Sequence, residues 1–297
     1  LDIRMLKFIS SILVLVFLTT NILWSNEIRL NGTNNSNTQF THPGKMKKSD
    51  WSNTLEMERA WLSSIVRIPN GLGKSKLSNI KEMKKLLNAQ MRKFPTVIFL
   101  HGCYGIHSGS HHRLKFLADN GFLVIAPVSF ARKKYPKSCD IYTLEGGLYR
   151  GTINIRQFDA KYAIIALSEL KFVDHKNIIL MGHSQGGITA ATLRVNNIEQ
   201  KLKARVIEGW NCTPDVWPEY SGMNAEKDEL VLSLVGHSDP WFSYSNYKLG
   251  CGPLLNQTNG SKGIVYKEGF LRYEHAPLDY KKPKEELLNF LTQVIRK

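Results

Sequence analysis

The sequence predicts an α/β fold, with a mostly parallel central sheet and helices on both faces. Three observations lead there. Runs such as Thr96-Val97-Ile98-Phe99-Leu100 and Phe122-Leu123-Val124-Ile125-Ala126 are β-branched and continuously apolar, as strands buried on both faces are. Segments with helical spacing alternate with these runs along the chain. At the centre, Asn177–Met181 reads as a buried strand that turns sharply through Gly182-His183-Ser184-Gln185-Gly186-Gly187 into a helix.

The elements follow in order. Residues 56–64 suit a short helix, and Ile65–Ile68 a first strand. Gly71–Gly73 turns the chain. Ser78–Arg92 reads as a helix, with Ser78 as N-cap and Ile80, Met83, Leu87 and Met91 on one face. The Thr96–Leu100 strand ends in His101-Gly102-Cys103-Tyr104-Gly105. A helix over 110–120 and the strand Phe122–Ala126 come next. A long loop, 127–152, precedes a helix over 153–170. The helix after Ser184 is expected to continue to Asn196. Ala204–Glu208, Leu230–Val235 and Gly263–Tyr266 are further strands, and Trp241–Tyr247 a short helix. Pro283–Arg296 closes the chain as an amphipathic helix, with Leu287, Leu288, Leu291 and Ile295 inward. No insertion large enough to form a cap domain separates the Ser184 helix from Asp239.

With 297 residues the chain is long enough for one large α/β domain, and a hydrophobic content of 42% is ordinary. The formal charge is +15, and residues 45–95 hold twelve Lys/Arg against four Asp/Glu. Such a balance can serve nucleic acid or an anionic envelope surface. No zinc finger, RNA-binding signature or Gly-rich phosphate loop accompanies it, so a solvated Lys-rich surface is the favoured reading and no nucleic-acid partner is expected.

Arg4 and Lys7 precede an apolar run from Phe8 to Trp24, the pattern of a secretory signal or an N-terminal anchor. Residues 1–25 are therefore expected to direct export to the periplasm or beyond, with membrane contact only through this segment if it is retained. Residues 26–50 read as a polar linker, and 51–297 as the folded domain. In an exported chain the four cysteines, Cys103, Cys139, Cys212 and Cys251, suggest two disulfides. Three pairings are open, and position along the chain favours Cys103–Cys139 and Cys212–Cys251. No C-x-x-C or metal-type Cys/His spacing occurs, and no metal or cofactor is implied.

The segment Gly182-His183-Ser184-Gln185-Gly186 fits G-x-S-x-G. A serine on a tight strand-to-helix turn has its hydroxyl pushed clear of the backbone, and glycines on either side let the chain bend there. The helix starts at the serine, so the Gln185 N–H faces any negative charge forming nearby. A hydroxyl is a weak nucleophile and needs a base, which in turn needs a carboxylate to hold its tautomer. Asp239 lies in the loop just after the Leu230–Val235 strand, whereas Asp215 and Asp228 lie in loops away from a strand end, and Asp279 follows the candidate base. Among the histidines, His101, His107, His111, His112 and His175 precede the serine, His183 sits in the turn, and His237 is too close to Asp239. His275 is left as the base. A second oxyanion donor is expected from the backbone N–H of Cys103 or Tyr104, and Trp210, Trp241 and Phe242 are candidate pocket walls.

The set His101-Gly102-Cys103-Tyr104-Gly105, Gly182-His183-Ser184-Gln185-Gly186-Gly187, Gly236-His237-Ser238-Asp239-Pro240 and Glu274-His275 resembles the alpha/beta-hydrolase superfamily over about residues 60–297. Within it the chain is most similar to dienelactone hydrolase-like proteins. Dienelactone hydrolase itself uses a cysteine nucleophile where this chain has Ser184. The resemblance implies hydrolysis of a small-molecule ester through an acyl-enzyme. Competing readings are a serine peptidase of the prolyl-oligopeptidase kind, although nothing in these residues resembles the propeller that usually gates those enzymes, and a non-catalytic binding protein on the same scaffold. The intact Ser184, Asp239 and His275 set speaks against the second.

Overall fold

The structure is a computed structural model that describes residues 46–71, 73–134, 139–140, 144–146, 150–212, 221–242 and 249–296. The expected leader (1–25) and most of the linker (26–45) lie outside the described residues. The elements are α1 (Lys48–Trp51), α2 (Thr54–Leu62), β1 (Ile65–Pro69), β2 (Ser75–Ser78), α3 (Ile80–Leu87), β3 (Phe94–Leu100), α4 (Ser108–Asp119) and β4 (Leu123–Ala126). After them come the short β5 (Cys139–Asp140) and β6 (Glu145–Gly146), then α5 (Arg150–Ser168), β7 (Val173–His183), α6 (Gln185–Thr192), β8 (Ala204–Glu208), β9 (Leu230–Gly236), β10 (Lys262–Tyr266) and α7 (Lys281–Arg296).

Eight strands form one sheet in the order β10-β9-β8-β7-β3-β4-β1-β2. The pairs from β10 to β4 are parallel, while β1 runs antiparallel to both β4 and β2. Side chains alternate between the two faces as the pleat requires. Ile98 and Leu100 of β3 and Ile178 and Leu180 of β7 pack into the core beneath α3, α5 and α6. Val97, Phe99, Ile179 and Met181 face the opposite core, with Leu114 and Leu117 of α4 and Leu287, Phe290 and Leu291 of α7. Both faces are covered, which is why the sequence reads apolar without a break.

Several elements differ from expectation. Ser78 is the last residue of β2, a strand too polar to be legible in the sequence, and the cap of α3 is Asn79, whose side chain accepts from the Glu82 N–H at 2.9 Å. Met91 lies beyond that helix and is fully exposed. The helix after Ser184 ends at Thr192 rather than Asn196, because side chains from elsewhere take over its last carbonyls. Arg205 donates to Ala190 O (2.8 Å) and Leu193 O (2.7 Å), and Asn224 Nδ2 donates to Thr192 O (2.7 Å). In α7 the inward stripe is Leu287, Phe290, Leu291 and Val294; the helical turn carries Leu288 to the margin and leaves Ile295 exposed. Of the helix expected over Trp241–Tyr247, Pro240–Phe242 forms a 3-10 turn, and 243–248 lie outside the described residues. Arg132 donates to the carbonyls of Asp50 (2.9 Å) and Trp51 (3.2 Å) and so ties α1 to the body.

Both disulfides pair as the chain order suggested, Cys103 with Cys139 and Cys212 with Cys251. Disulfides persist in oxidising compartments. No helix among the described residues is long and apolar enough to cross a membrane.

Candidate active site

Ser184 stands between β7 and α6 with φ +57 and ψ −121, a backbone conformation that non-glycine residues rarely adopt. Neighbouring backbone holds it there. Its N–H donates to Glu208 O of β8 at 2.8 Å, and its carbonyl accepts from Ile188 N at 3.0 Å. The flanking glycines are required sterically. A Cβ on Gly182 would lie 2.0 Å from Gly186 O, and one on Gly186 would lie 2.0 Å from Leu100 O. The elbow is thus wedged against the end of β3. The loop after β3 lies directly over the serine, since a Cβ on Gly102 would sit 3.4 Å from Ser184 Cβ.

Asp239 and His275 arrive from loops after β9 and β10. Asp239 is buried. Its Oδ1 accepts from the Trp241 N–H at 3.0 Å, and its Oδ2 meets His275 Nδ1 at 2.6 Å. This bond puts the ring proton on Nδ1 and leaves the Nε2 lone pair open. Nε2 is buried and has no hydrogen-bond partner among the described residues. A Cβ on Gly209 would lie 2.4 Å from His275 O, so the histidine loop closes onto the end of β8, beside the elbow.

Of the expected pocket residues, Trp241 and Phe242 pack on the His275 ring, with centroids at 5.4 and 5.9 Å. Trp210 reaches Phe242 at 5.5 Å and is almost wholly buried, as a core side chain is. His183 packs edge-on to His275 at 5.2 Å. Burial, with the Arg113 cation nearby, pushes its pKa well below the ordinary value, so it stays neutral. His237 bonds Ser238 Oγ at 3.1 Å rather than joining the Asp239 pair. Gln185 opens α6, and Cys103 and Tyr104 occupy a tight turn closed by Gly105 N–H to Gly102 O at 3.1 Å. In that turn Cys103 is buried and tied to Cys139, while Tyr104 is half exposed.

Two buried arginines flank this constellation, and neither carries a motif. Arg113 of α4 makes paired bonds to Glu208 (2.7 and 2.6 Å) and a third to Asp279 (2.6 Å). Burial alone would lower its pKa, but the two carboxylates raise it instead. Glu208 Oε1 also accepts from the Leu278 N–H at 2.9 Å, so the network anchors the segment that follows His275. Arg156 of α5 donates to the carbonyl oxygen of His101, to Gln185 Oε1 (3.3 Å) and to Gly102 O (3.4 Å). Long-range partners of this kind leave no signal in composition or spacing.

This architecture is the alpha/beta-hydrolase fold, as the motif resemblance implied. The sequence profile of the chlorophyllase family matches residues 74–211, from β2 to just past β8. A dienelactone hydrolase-like promiscuous phosphotriesterase from metagenomic libraries superposes with a TM-score of 0.50 at 15% identity, over 78% of this chain and 98% of its own. A putative dienelactone hydrolase from Klebsiella pneumoniae gives a TM-score of 0.49 at 16% identity, over 77% and 99%. No curated protein matches the sequence. The chain is thus an alpha/beta-hydrolase-fold protein with dienelactone hydrolase-like proteins among its structural neighbours.

Proposed function

We propose that the protein is an exported serine hydrolase that cleaves a carboxylic ester with a small or medium acyl group. The observation that carries this reading is the strained Ser184 elbow beside a histidine whose Nδ1 is held by Asp239 at 2.6 Å and whose Nε2 is unpartnered. In the first step Ser184 Oγ bonds to the ester carbonyl carbon while His275 Nε2 takes the hydroxyl proton. The carbonyl electron pair moves onto oxygen, where the N–H groups of Gln185 and Cys103 receive it. Collapse expels the alcohol, which leaves with the proton from Nε2. Water then attacks the acyl-serine by the same route, giving the carboxylic acid and restoring Ser184. Asp239 keeps the imidazole in the working tautomer and offsets the charge it gains.

The aromatic rings around His275 favour an apolar substituent next to the scissile bond. Two disulfides and the N-terminal apolar run support export. The test is hydrolysis of p-nitrophenyl acetate and butyrate by the purified protein beside Ser184→Ala. We expect turnover in the wild type, loss of at least ~10³-fold in the variant, and labelling of Ser184 by a fluorophosphonate. A wild type that neither turns over any ester nor takes the probe would sink the reading.

A further inference from the structure

We infer that Arg156 is a positioning residue that sets both halves of the oxyanion site, an inference that rests on the hydrolase reading above. Arg156 is 1% exposed, and among the described residues its guanidinium meets carbonyl and amide oxygens and, at 3.1 Å, the His101 Nδ1, rather than a carboxylate within ion-pair reach. Burying a cation against neutral oxygens is costly, so a purely structural role would be better filled by an apolar side chain. What Arg156 touches is specific. Through the carbonyls of His101 and Gly102 it holds the loop that lies over Ser184, and through Gln185 Oε1 it holds the residue that opens α6.

Peptide planarity turns this grip into aim. In a trans peptide the C=O of one residue and the N–H of the next point in opposite directions. Three donors converge on Gly102 O: the Gly105 N–H at 3.1 Å, His101 Nδ1 at 2.8 Å and Arg156 Nη1 at 3.4 Å. They fix the Gly102–Cys103 peptide so that the Cys103 N–H faces away from the guanidinium. The His101 tautomer follows from the same network. Its Nε2 accepts from the Ser129 N–H at 3.3 Å, so Nδ1 carries the proton and donates to Gly102 O, with Arg156 Nη1 3.1 Å from the same nitrogen. Burial and the adjacent Arg156 cation both keep that ring neutral. A carbonyl that accepts from a cation also polarises its peptide, which strengthens the N–H on the far side as a donor. Arg156 therefore acts on the developing oxyanion one peptide away, without touching substrate. Among the candidate donors it selects the N–H groups of Cys103 and Gln185 over that of Tyr104.

The test compares wild type with Arg156→Lys, which keeps the charge but cannot span these oxygens, and Arg156→Met, which keeps bulk without charge. We expect kcat on p-nitrophenyl butyrate to fall at least ~10-fold in both, with KM within about threefold, since the interaction operates in the transition state. Fluorophosphonate labelling should slow in parallel. Amide hydrogen exchange should quicken across residues 101–105 and at Gln185. If Arg156→Met fails to fold, Arg156→Lys alone decides. A folded variant with wild-type kcat, or with its loss confined to KM, would overturn the inference while leaving the hydrolase reading intact. If the wild type itself shows neither turnover nor labelling, the hydrolase reading fails, and exchange then judges the positioning claim: unchanged exchange in the variants overturns it.

Discussion

The two arginines beside Ser184 are buried to the same degree, yet they are held in opposite ways. Arg113 is neutralised by the Glu208 and Asp279 carboxylates and ties α4 to β8 and to the segment behind His275. Among the described residues Arg156 faces carbonyl and amide oxygens and the His101 ring, and it ties α5 to the loop over the serine and to the start of α6. The first arrangement is an ion-pair network whose loss strands a charge in a dry interior. The second spends desolvation on a local positive potential beside backbone N–H groups. The His275 side of the site is therefore expected to fail through stability and, under the proposed function, the loop over Ser184 through rate.

The largest effect on stability should come from Glu208→Ala. It removes the paired partner of Arg113 and the acceptor of the Leu278 N–H, leaving a buried guanidinium with the half-exposed Asp279 as its one carboxylate partner among the described residues. A loss of about 3–5 kcal/mol is expected, measurable by urea unfolding. A loss near that of a surface substitution would show that the two arginines do not differ as argued.

Acid should weaken both sides together. His101 beside Arg156 and His183 near Arg113 are each held neutral, with folded pKa values below the ordinary histidine value, burial being the main cause. A group depressed in this way contributes its full stability above its unfolded pKa of about 6.5 and loses it as pH falls, by up to ~1.4 kcal/mol per pH unit for each ring. Urea midpoints at pH 7.5, 6.0 and 5.0 should fall in that order. Replacing His101 by Gln should flatten the decline, and an unaltered slope would argue against His101 as one of its sources.

The smallest effect sharpens the comparison. Asp279 pairs with Arg113, but its side chain is 43% exposed, and Arg113 keeps Glu208 without it. Asp279→Asn should cost less than about 1 kcal/mol by the same urea measurement. A cost approaching that of Glu208→Ala would mean that the outer carboxylate matters as much as the buried one.

Much of this protein was legible from short stretches. The Ser184 elbow declares itself because glycines at 182 and 186 are demanded by contacts of 2.0 Å with backbone atoms, and a steric requirement of that kind is written into neighbouring residues. The strands of the parallel core read as unbroken apolar runs because both faces are covered. Asp239 and His275 follow Ser184 in order, each just past a strand, and the sheet brings them together at its carboxyl edge. The cysteine pairs were less legible: chain order favoured one of three pairings, and the structure forms that one.

What failed to appear in the sequence shares one physical cause. Polar β2 is a strand because β1 offers it an edge, and α6 stops at Thr192 because Arg205 and Asn224 take its carbonyls. Trp210 and Trp241 are both aromatic in sequence, yet only in space is the first enclosed and the second laid on His275. Local sterics and side-chain period thus determined the elbow, the core strands and the order in which Asp239 and His275 follow Ser184. Tertiary structure decided the charge networks of Arg113 and Arg156, because a buried cation's partners are chosen by distance and desolvation among residues tens of positions apart, and neither leaves a periodic trace in the chain.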